Sequence, residues 1–174
     1  MAAERAPRSA QPAWLVGARW LARHWLAAGD SFLFSFATLP VLAPLLAAAG
    51  WRPVAQEIFA AYGWVCHQMP SRSFFILGQQ MAYCERNTAI YGSMAVAGLL
   101  WGRYGRKLTG LHPLLYGLLV MPMAVDGFTQ LFGLRESTWQ LRVLTGTLFG
   151  VASVWFALPI VRRYAELFEP LLAQ

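Results

Sequence analysis

The distribution of charged residues constrains the fold of this chain more than any other feature. Four stretches contain no Asp, Glu, Lys or Arg: residues 31–51, 87–102, 108–125 and 143–161. A membrane-crossing helix needs about 20 predominantly apolar residues, with about 17 to 25 as the usual range, so three stretches are long enough as they stand. The second stretch reaches crossing length if Glu85, Arg86 and Arg103 lie among the lipid headgroups.

The overall composition agrees with a membrane protein. Charged residues make up only 13% of the chain, whereas an ordinary soluble domain has roughly 25%. The formal net charge is +6, but the basic residues are scattered singly, and a nucleic-acid-binding surface needs a dense basic patch or stripe. Membrane lipids are therefore the expected partners, and nucleic acid is not.

The sequence predicts an all-α integral membrane bundle of four transmembrane helices in one domain, residues 1–174. The predicted spans are residues 31–51, 85–103, 108–126 and 142–161. Two GxxxG pairs, Gly98 with Gly102 and Gly146 with Gly150, are typical of helices whose backbones approach closely. The same spacing also arises often by chance in apolar helices.

The segment before the first span, within residues 1–30, has a different pattern. Arg19 and Arg23 lie on one face of a helix, and Trp14, Leu21 and Trp25 lie on the opposite face. This arrangement predicts an amphipathic helix that lies in the membrane interface and precedes the four spans.

The positions of Lys and Arg predict the orientation of the bundle, because cytoplasmic loops carry an excess of these residues. Nine of them fall on one side if four spans alternate, at Arg5, Arg8, Arg19, Arg23, Arg103, Arg106, Lys107, Arg162 and Arg163. Five fall on the other side, at Arg52, Arg72, Arg86, Arg135 and Arg142. We therefore expect a multi-pass protein of the cell membrane with both termini in the cytoplasm. The loops 52–86 and 126–142 then share the non-cytoplasmic face.

Polar side chains are concentrated in those two loops, which marks them as the candidate site. The candidate ligand-binding residues are His67, Gln68, Arg72, Arg86, Asp126, Gln130, Arg135 and Arg142. Ionisable residues at membrane depth tend to mark binding or transport sites. The arginines could hold an anionic group, and Asp126 or His67 could act as an acid or base.

Asp126 needs a partner, because it ends a span where the helix C-terminus carries partial negative charge. Arg86, Arg135 and Arg142 are on the same predicted face and could pair with it. Such a pair could simply tie the spans together, or it could line a pocket. Gln130 lies one helical turn further on and extends the polar face if the helix continues.

Cys66, His67 and Cys84 are possible ligands for a metal such as zinc. Their spacing contains no CxxC clamp, and two adjacent residues rarely reach one ion. The two cysteines could instead form a disulfide on the non-cytoplasmic face, or remain two buried thiols. Further along, Ser137 followed by Gln140 fits a capping box that starts the last span.

Two strings in these loops carry a family resemblance: CHQMPSRSFFILGQQMAYCERNTAIYG and DGFTQLFGLRESTWQLRVLTGTLFG. They are similar to small bacterial and archaeal membrane proteins grouped as domain of unknown function 2085, over about residues 58–155. The resemblance implies a Cys-x-Arg-Cys motif, and here Asn87 replaces its last cysteine. A four-thiolate site implied by that motif is therefore incomplete in this chain. The resemblance implies no activity.

Two functional hypotheses remain open. The first is a membrane protein whose polar Cys/His/Arg/Asp site on the non-cytoplasmic face binds a small anionic ligand, a lipid head group or a metal; the sequence does not decide whether it is an enzyme. The second is an accessory or assembly subunit of a larger membrane complex, whose aromatic residues cover contacts with other membrane subunits. A transporter is disfavoured, because four spans show no internal repeat.

Overall fold

The computed structural model describes residues 12–105 and 108–172, and it is predominantly helical. Its helices are α1 (Ala13–Ala48), α2 (Arg52–Tyr62), α3 (Glu85–Tyr104), α4 (Pro113–Leu131) and α5 (Trp139–Leu172). A short 3₁₀ turn (Pro70–Arg72) and a hairpin of β1 (Ser73–Ile76) and β2 (Gln79–Cys84) lie between α2 and α3. Arg5, Arg8, Arg106 and Lys107, which support the predicted orientation, lie outside the described residues.

Three helices of the described chain are long and apolar enough to cross a membrane: Ala13–Ala48, Pro113–Leu131 and Trp139–Leu167. The predicted span 85–103 does form a helix, α3, but α3 is not among the three. Its first turn holds Glu85 and Arg86, and its last turn holds Arg103. The structure thus supports a helical membrane protein with three such helices, and does not confirm four spans.

The separate amphipathic helix predicted before the first span is not observed. Residues 14–28 and the first predicted span form one continuous helix, α1, of 36 residues. At 1.5 Å per residue α1 is about 54 Å long, well beyond the roughly 30 Å of a hydrocarbon core. Between Ala28 and Ser31 there is no proline, and the single Gly29 weakens the helix without ending it. The helix stops at Ala48, just before Gly50 at a φ of 90°.

The helices α1 and α3 run antiparallel, and so do α4 and α5, whereas α3 and α5 run parallel, with Gly146 beside Arg86 and Gly150 beside Ile90. Phe36 of α1 contacts Tyr91 of α3, with ring centroids 4.9 Å apart, and Asp30 further back along α1 faces Gly98. Tyr116 near the start of α4 stacks on Phe156 of α5, with centroids 4.6 Å apart. These pairings place the 52–84 segment and the 132–138 connection at the same end of the bundle.

Gly146 and Gly150 hold α5 tightly against α3, which confirms the predicted close approach. A Cβ added at Gly146 would lie 2.8 Å from the carbonyl oxygen of Arg86. At Gly150 it would overlap the Ser93 hydroxyl and lie 2.5 Å from the carbonyl oxygen of Ile90. The other pair also faces a neighbour, since Gly98 lies against the Asp30 carboxylate of α1.

The predicted loop 52–86 is itself structured. The two-residue turn at Leu77 and Gly78 has positive φ values of 51° and 75°, the conformation that favours tight hairpins. The hairpin pairs Ser73 with Cys84. Tyr62, Ala82, Tyr83 and Cys84 pack with Ala43 of α1 in one buried cluster. This packing fixes the end of β2, and therefore Cys84, over the end of the bundle.

We predict that Gly150→Ala destabilises the protein by about 1–3 kcal/mol, because the added methyl group must push α5 away from α3. Gly117→Ala in α4 is the matched control, since a Cβ there meets nothing within 4 Å. Unfolding of the purified protein in detergent measures both. Equal stability of the two variants would contradict the close α3–α5 packing.

Candidate functional site

Three helix ends meet beneath the hairpin and bring both polar loops together. Glu85 and Arg86 begin α3, Asp126 and Gln130 lie in the last two turns of α4, and Arg142 lies in the first turn of α5. The structure therefore places side chains that are 40 or more residues apart in sequence within hydrogen-bonding distance. We call Glu85, Arg86, Asp126, Arg135 and Arg142 the ion-pair layer.

Asp126 is the centre of this layer and is only 1% exposed. Its carboxylate accepts hydrogen bonds from the guanidinium groups of Arg86 and Arg135, the latter with Nη2 2.5 Å from Oδ1. The Ser137 hydroxyl donates to Oδ2 at 2.9 Å. The predicted pairing of Asp126 with arginines from the same face is therefore confirmed for Arg86 and Arg135.

Arg142 does not pair with Asp126, contrary to one of the predicted options. Its Nη1 donates to Glu85 Oε2 at 2.8 Å, and its Nη2 donates to the Ser137 carbonyl at 2.5 Å. Both Arg142 and Glu85 are buried. Arg142 lies on the side of α5 that packs against the start of α3, where Glu85 is the nearest carboxylate. The second ion pair therefore joins α3 to α5.

The predicted capping role of Ser137 is wrong, because its hydroxyl binds Asp126. Thr138 precedes the first residue of α5, and its Oγ1 accepts from the backbone N–H of Leu141 at 3.4 Å. The cap is therefore one residue later than predicted. This shift leaves Ser137 free to complete the hydrogen bonding of a buried carboxylate, where an unsatisfied group would be costly.

A cavity of about 200 Å³ opens beside the ion-pair layer. It is lined by Val65, Cys66, His67, Arg72, Cys84, Arg86, Asn87, Gln130 and Arg142. Five of the eight candidate ligand-binding residues thus meet around one cavity, namely His67, Arg72, Arg86, Gln130 and Arg142. With its amide oxygen turned towards α5, Gln130 accepts from the Ser137 N–H at 3.2 Å and from Arg142 Nη2 at 3.3 Å.

Three candidates do not line the cavity. Asp126 and Arg135 lie behind it, and the Arg135 side chain is 41% exposed. The carboxamide of Gln68 donates to the carbonyls of Phe59 (2.7 Å) and Ala82 (3.1 Å). Gln68 therefore joins α2 to β2 and positions the residues around it.

The cavity lining carries positive charge and unused hydrogen-bond donors. It contains three arginines and no carboxylate. The Nε groups of Arg86 and Arg142 are buried and have no hydrogen-bond partner among the residues that the structure describes. Among the side chains described, those of residues 12–105 and 108–167, Arg72 has no carboxylate partner. Buried N–H groups are nearly always paired in folded proteins, so this end of the bundle favours an acceptor of hydrogen bonds.

Cys66 and Cys84 are both free and both buried. The backbone N–H of Cys84 donates to the Cys66 sulfur at 3.1 Å. A hydrogen bond from the Cys84 thiol, helped by backbone N–H groups and by His67, lowers the pKa of Cys66 to about 6. The same interaction and burial raise the pKa of Cys84. Of the alternatives left open for these two cysteines, the structure has the two buried thiols.

The described residues contain no group of three or more His, Cys, Asp or Glu placed to hold a metal ion. The His67 ring accepts from the backbone N–H of Met69, with Nδ1 and N 3.2 Å apart.

Sequence reasoning missed the roles of Glu85, Asn87 and Ser137. Glu85 was assigned to the headgroup layer, yet it pairs with Arg142 in the interior. Asn87 lines the cavity and donates to the Val65 carbonyl at 3.0 Å. The available signal was the run Cys84-Glu85-Arg86-Asn87 itself, in which four polar or reactive residues open an otherwise apolar helix.

Comparison with known proteins places this arrangement in a family. The family model described as predicted membrane protein (DUF2085) matches residues 66–156, which include the hairpin, the ion-pair layer and all the residues lining the cavity except Val65. The chain belongs to the DUF2085 family. The predicted resemblance is thus confirmed over slightly shifted bounds. No solved structure matches the chain.

Two archaeal relatives extend the DUF2085 match. An uncharacterised protein of Methanocaldococcus jannaschii is 40% identical over 146 residues, covering 79% of this chain and 92% of the relative. An uncharacterised protein of Methanothermobacter thermautotrophicus is 39% identical over 90 residues, covering 52% of this chain and 81% of the relative.

We predict that Asp126→Asn destabilises this DUF2085 chain by about 3 kcal/mol, because it leaves the guanidinium of Arg86 without its buried counter-charge. Removing both charges with Asp126→Asn and Arg86→Gln should recover part of that loss, giving a coupling of about 0.5–3 kcal/mol in a double-mutant cycle. Glu136→Gln, at an exposed position nearby, is the control. Unfolding in detergent measures the cycle, and additive effects would argue against the ion pair.

Proposed function

We propose that this protein binds a small oxyanion of the phosphate class in the cavity beside the ion-pair layer. The observation that carries the proposal is the lining: three arginines with no carboxylate, around a space of about 200 Å³. Arginine is suited to phosphate and carboxylate groups because its planar fork donates two parallel hydrogen bonds.

The balance of charge supports an anionic ligand. Four arginines, Arg72, Arg86, Arg135 and Arg142, lie in the cavity lining or the ion-pair layer, and they meet two carboxylates, Glu85 and Asp126. Both carboxylates are already bonded to arginines, whereas Arg72 has no acidic partner within the described ranges. A bound anion would supply the missing negative charge in a site partly shielded from water, where charges interact more strongly.

The size and polarity of the space support a small ion over an extended substrate. Pockets for drug-sized ligands usually measure about 300–1,000 Å³, and this cavity is smaller. Arg72, Arg86 and Arg142 line the space, and guanidinium groups are donors of the kind a tetrahedral oxyanion accepts. The anion could be a free phosphate or the phosphate of a lipid headgroup, because both present the same group.

Titration calorimetry of the purified full chain tests the proposal. We expect inorganic phosphate to bind, and Arg72→Gln to weaken binding about tenfold or more, since a charged hydrogen bond contributes about 1.5–3 kcal/mol. Arg72→Gln should leave the fold intact because no ion pair is broken. Arg103→Gln, the same charge change at the opposite end of α3, should bind phosphate like the wild type.

A second arm of that experiment separates the two sources of phosphate. Nanodiscs of phosphatidylglycerol and of phosphatidylcholine are compared for competition with free phosphate. Competition by the anionic lipid alone points to a headgroup ligand, and its absence points to a free anion. Failure of inorganic phosphate and of both lipids to bind would overturn the proposal.

We further propose that the cavity lies on the non-cytoplasmic face, with both termini in the cytoplasm, as the excess of basic residues on the other side supports. An impermeant thiol reagent applied to intact cells should then label Ser71→Cys and Glu136→Cys but spare Thr109→Cys. All three positions are exposed, and the native cysteines are buried. Labelling of Thr109→Cys alone would reverse the orientation.

A further inference from the structure

The fold brings two cysteines into contact across a separation of 18 residues. Cys66 follows α2, and Cys84 ends β2. Gln68 bonds to the carbonyls of Phe59 and Ala82, and Asn87 bonds to the carbonyl of Val65. Side-chain hydrogen bonds on both sides of the thiols therefore hold their two segments together.

The two sulfur atoms are not equivalent. The backbone N–H of Cys84 donates to the Cys66 sulfur at 3.1 Å, and the neighbouring Cys84 thiol also lowers the pKa of Cys66. The backbone N–H groups of Arg86 and Asn87 favour a thiolate at Cys84, but burial and the neighbouring Cys66 outweigh them and raise the pKa of Cys84. Because N–H and S–H donors stabilise a thiolate, the geometry favours one thiolate, at Cys66, beside one thiol.

Access to the pair is restricted by size. Cys66 and Cys84 are only 7% and 6% exposed, yet both line the cavity of about 200 Å³. A folded protein cannot enter a space of that volume, whereas a molecule of a few atoms can. Arg72, Arg86 and His67 surround the approach, and a positive environment is where thiols tend to react.

We propose that Cys66 and Cys84 form a redox-active pair in which a small hydroperoxide oxidises Cys66 and Cys84 completes an intrachain disulfide. The Cys66 thiolate attacks one oxygen of the peroxide, the O–O bond breaks, and hydroxide or alkoxide leaves, which gives a sulfenic acid. The Cys84 sulfur then attacks the Cys66 sulfur, the S–O bond breaks, and the Cys84 proton leaves with the hydroxyl group as water. The two sulfurs are oxidised by two electrons in total, and the peroxide is reduced.

This inference does not depend on the proposed oxyanion site, although both use one cavity. Phosphate binding by the fully reduced protein tests the oxyanion site, and thiol chemistry tests the pair. Either result can therefore fail while the other stands.

The experiment treats the reduced, purified full chain with hydrogen peroxide. Peptide and intact mass spectrometry should show loss of both free thiols together, a mass decrease of two hydrogens, and a peptide linking Cys66 to Cys84. Reduction with dithiothreitol should restore both thiols. These are the only two cysteines in the chain, so no other disulfide can form within it.

Single-cysteine variants separate the two roles. Cys84→Ser should stop at a sulfenic acid on Cys66 that dimedone traps. Cys66→Ser should give no dimedone adduct at Cys84 under the same peroxide dose. The melting temperature of each variant is measured in parallel, and a third variant, Ser73→Ala, controls for a small change beside Cys84 in the hairpin.

Three results would overturn the proposal. The first is two thiols that survive peroxide in folded wild type, which identifies them as inert packing residues. The second is preferential oxidation of Cys84 in the single-cysteine variants. The third is a sulfenic acid in the wild type that never becomes an intrachain disulfide. If a variant fails to fold, the linked peptide in the wild type still decides the question.

Discussion

The carboxylate of Asp126 sets the architecture of one end of this protein. A charge in a largely apolar bundle is tolerated only when it is paired and hydrogen-bonded. Asp126 lies in α4, its partner Arg86 begins α3, and Arg135 and Ser137 precede α5. Satisfying this one group therefore draws three helices to a common point, and the Glu85–Arg142 pair adds a second link between α3 and α5.

The cavity follows from the same pairing. The carboxylates of Asp126 and Glu85 hold the guanidinium groups of Arg86 and Arg142, and both arginines line the cavity. The hairpin and α2 then cover this end and supply His67, Arg72 and the two cysteines. The same ion pairs therefore hold the helices together and shape the cavity. The two roles considered for Asp126, joining the spans and forming a pocket, are compatible.

Sequence reasoning succeeded where a single constraint, the cost of placing charged residues within a membrane, determined the structure. Charge-free stretches gave the long helices, and their alternation placed Cys84 and Asp126 at the same end. It failed where short-range signals competed. Ser137 and Thr138 are both able to cap α5, and only the burial of Asp126 decides that Ser137 turns towards the carboxylate. Likewise, Asp126 had three candidate arginines, and the close packing of α5 against α3 at Gly146 and Gly150 accompanies the pairing of Arg142 with Glu85 instead.

The sequence by itself determined that this is a helical membrane protein of the DUF2085 family and that its polar residues gather in two loops. It could do so because hydropathy and charge act residue by residue along the chain. Tertiary structure alone decided that the predicted interfacial helix and the first predicted span form one helix, and which side chains pair. It also decided that Gln68 joins α2 to β2, whereas His67 and Arg72 line the cavity. Those outcomes depend on helix rotation and hairpin register, which arise only when separate segments pack against one another.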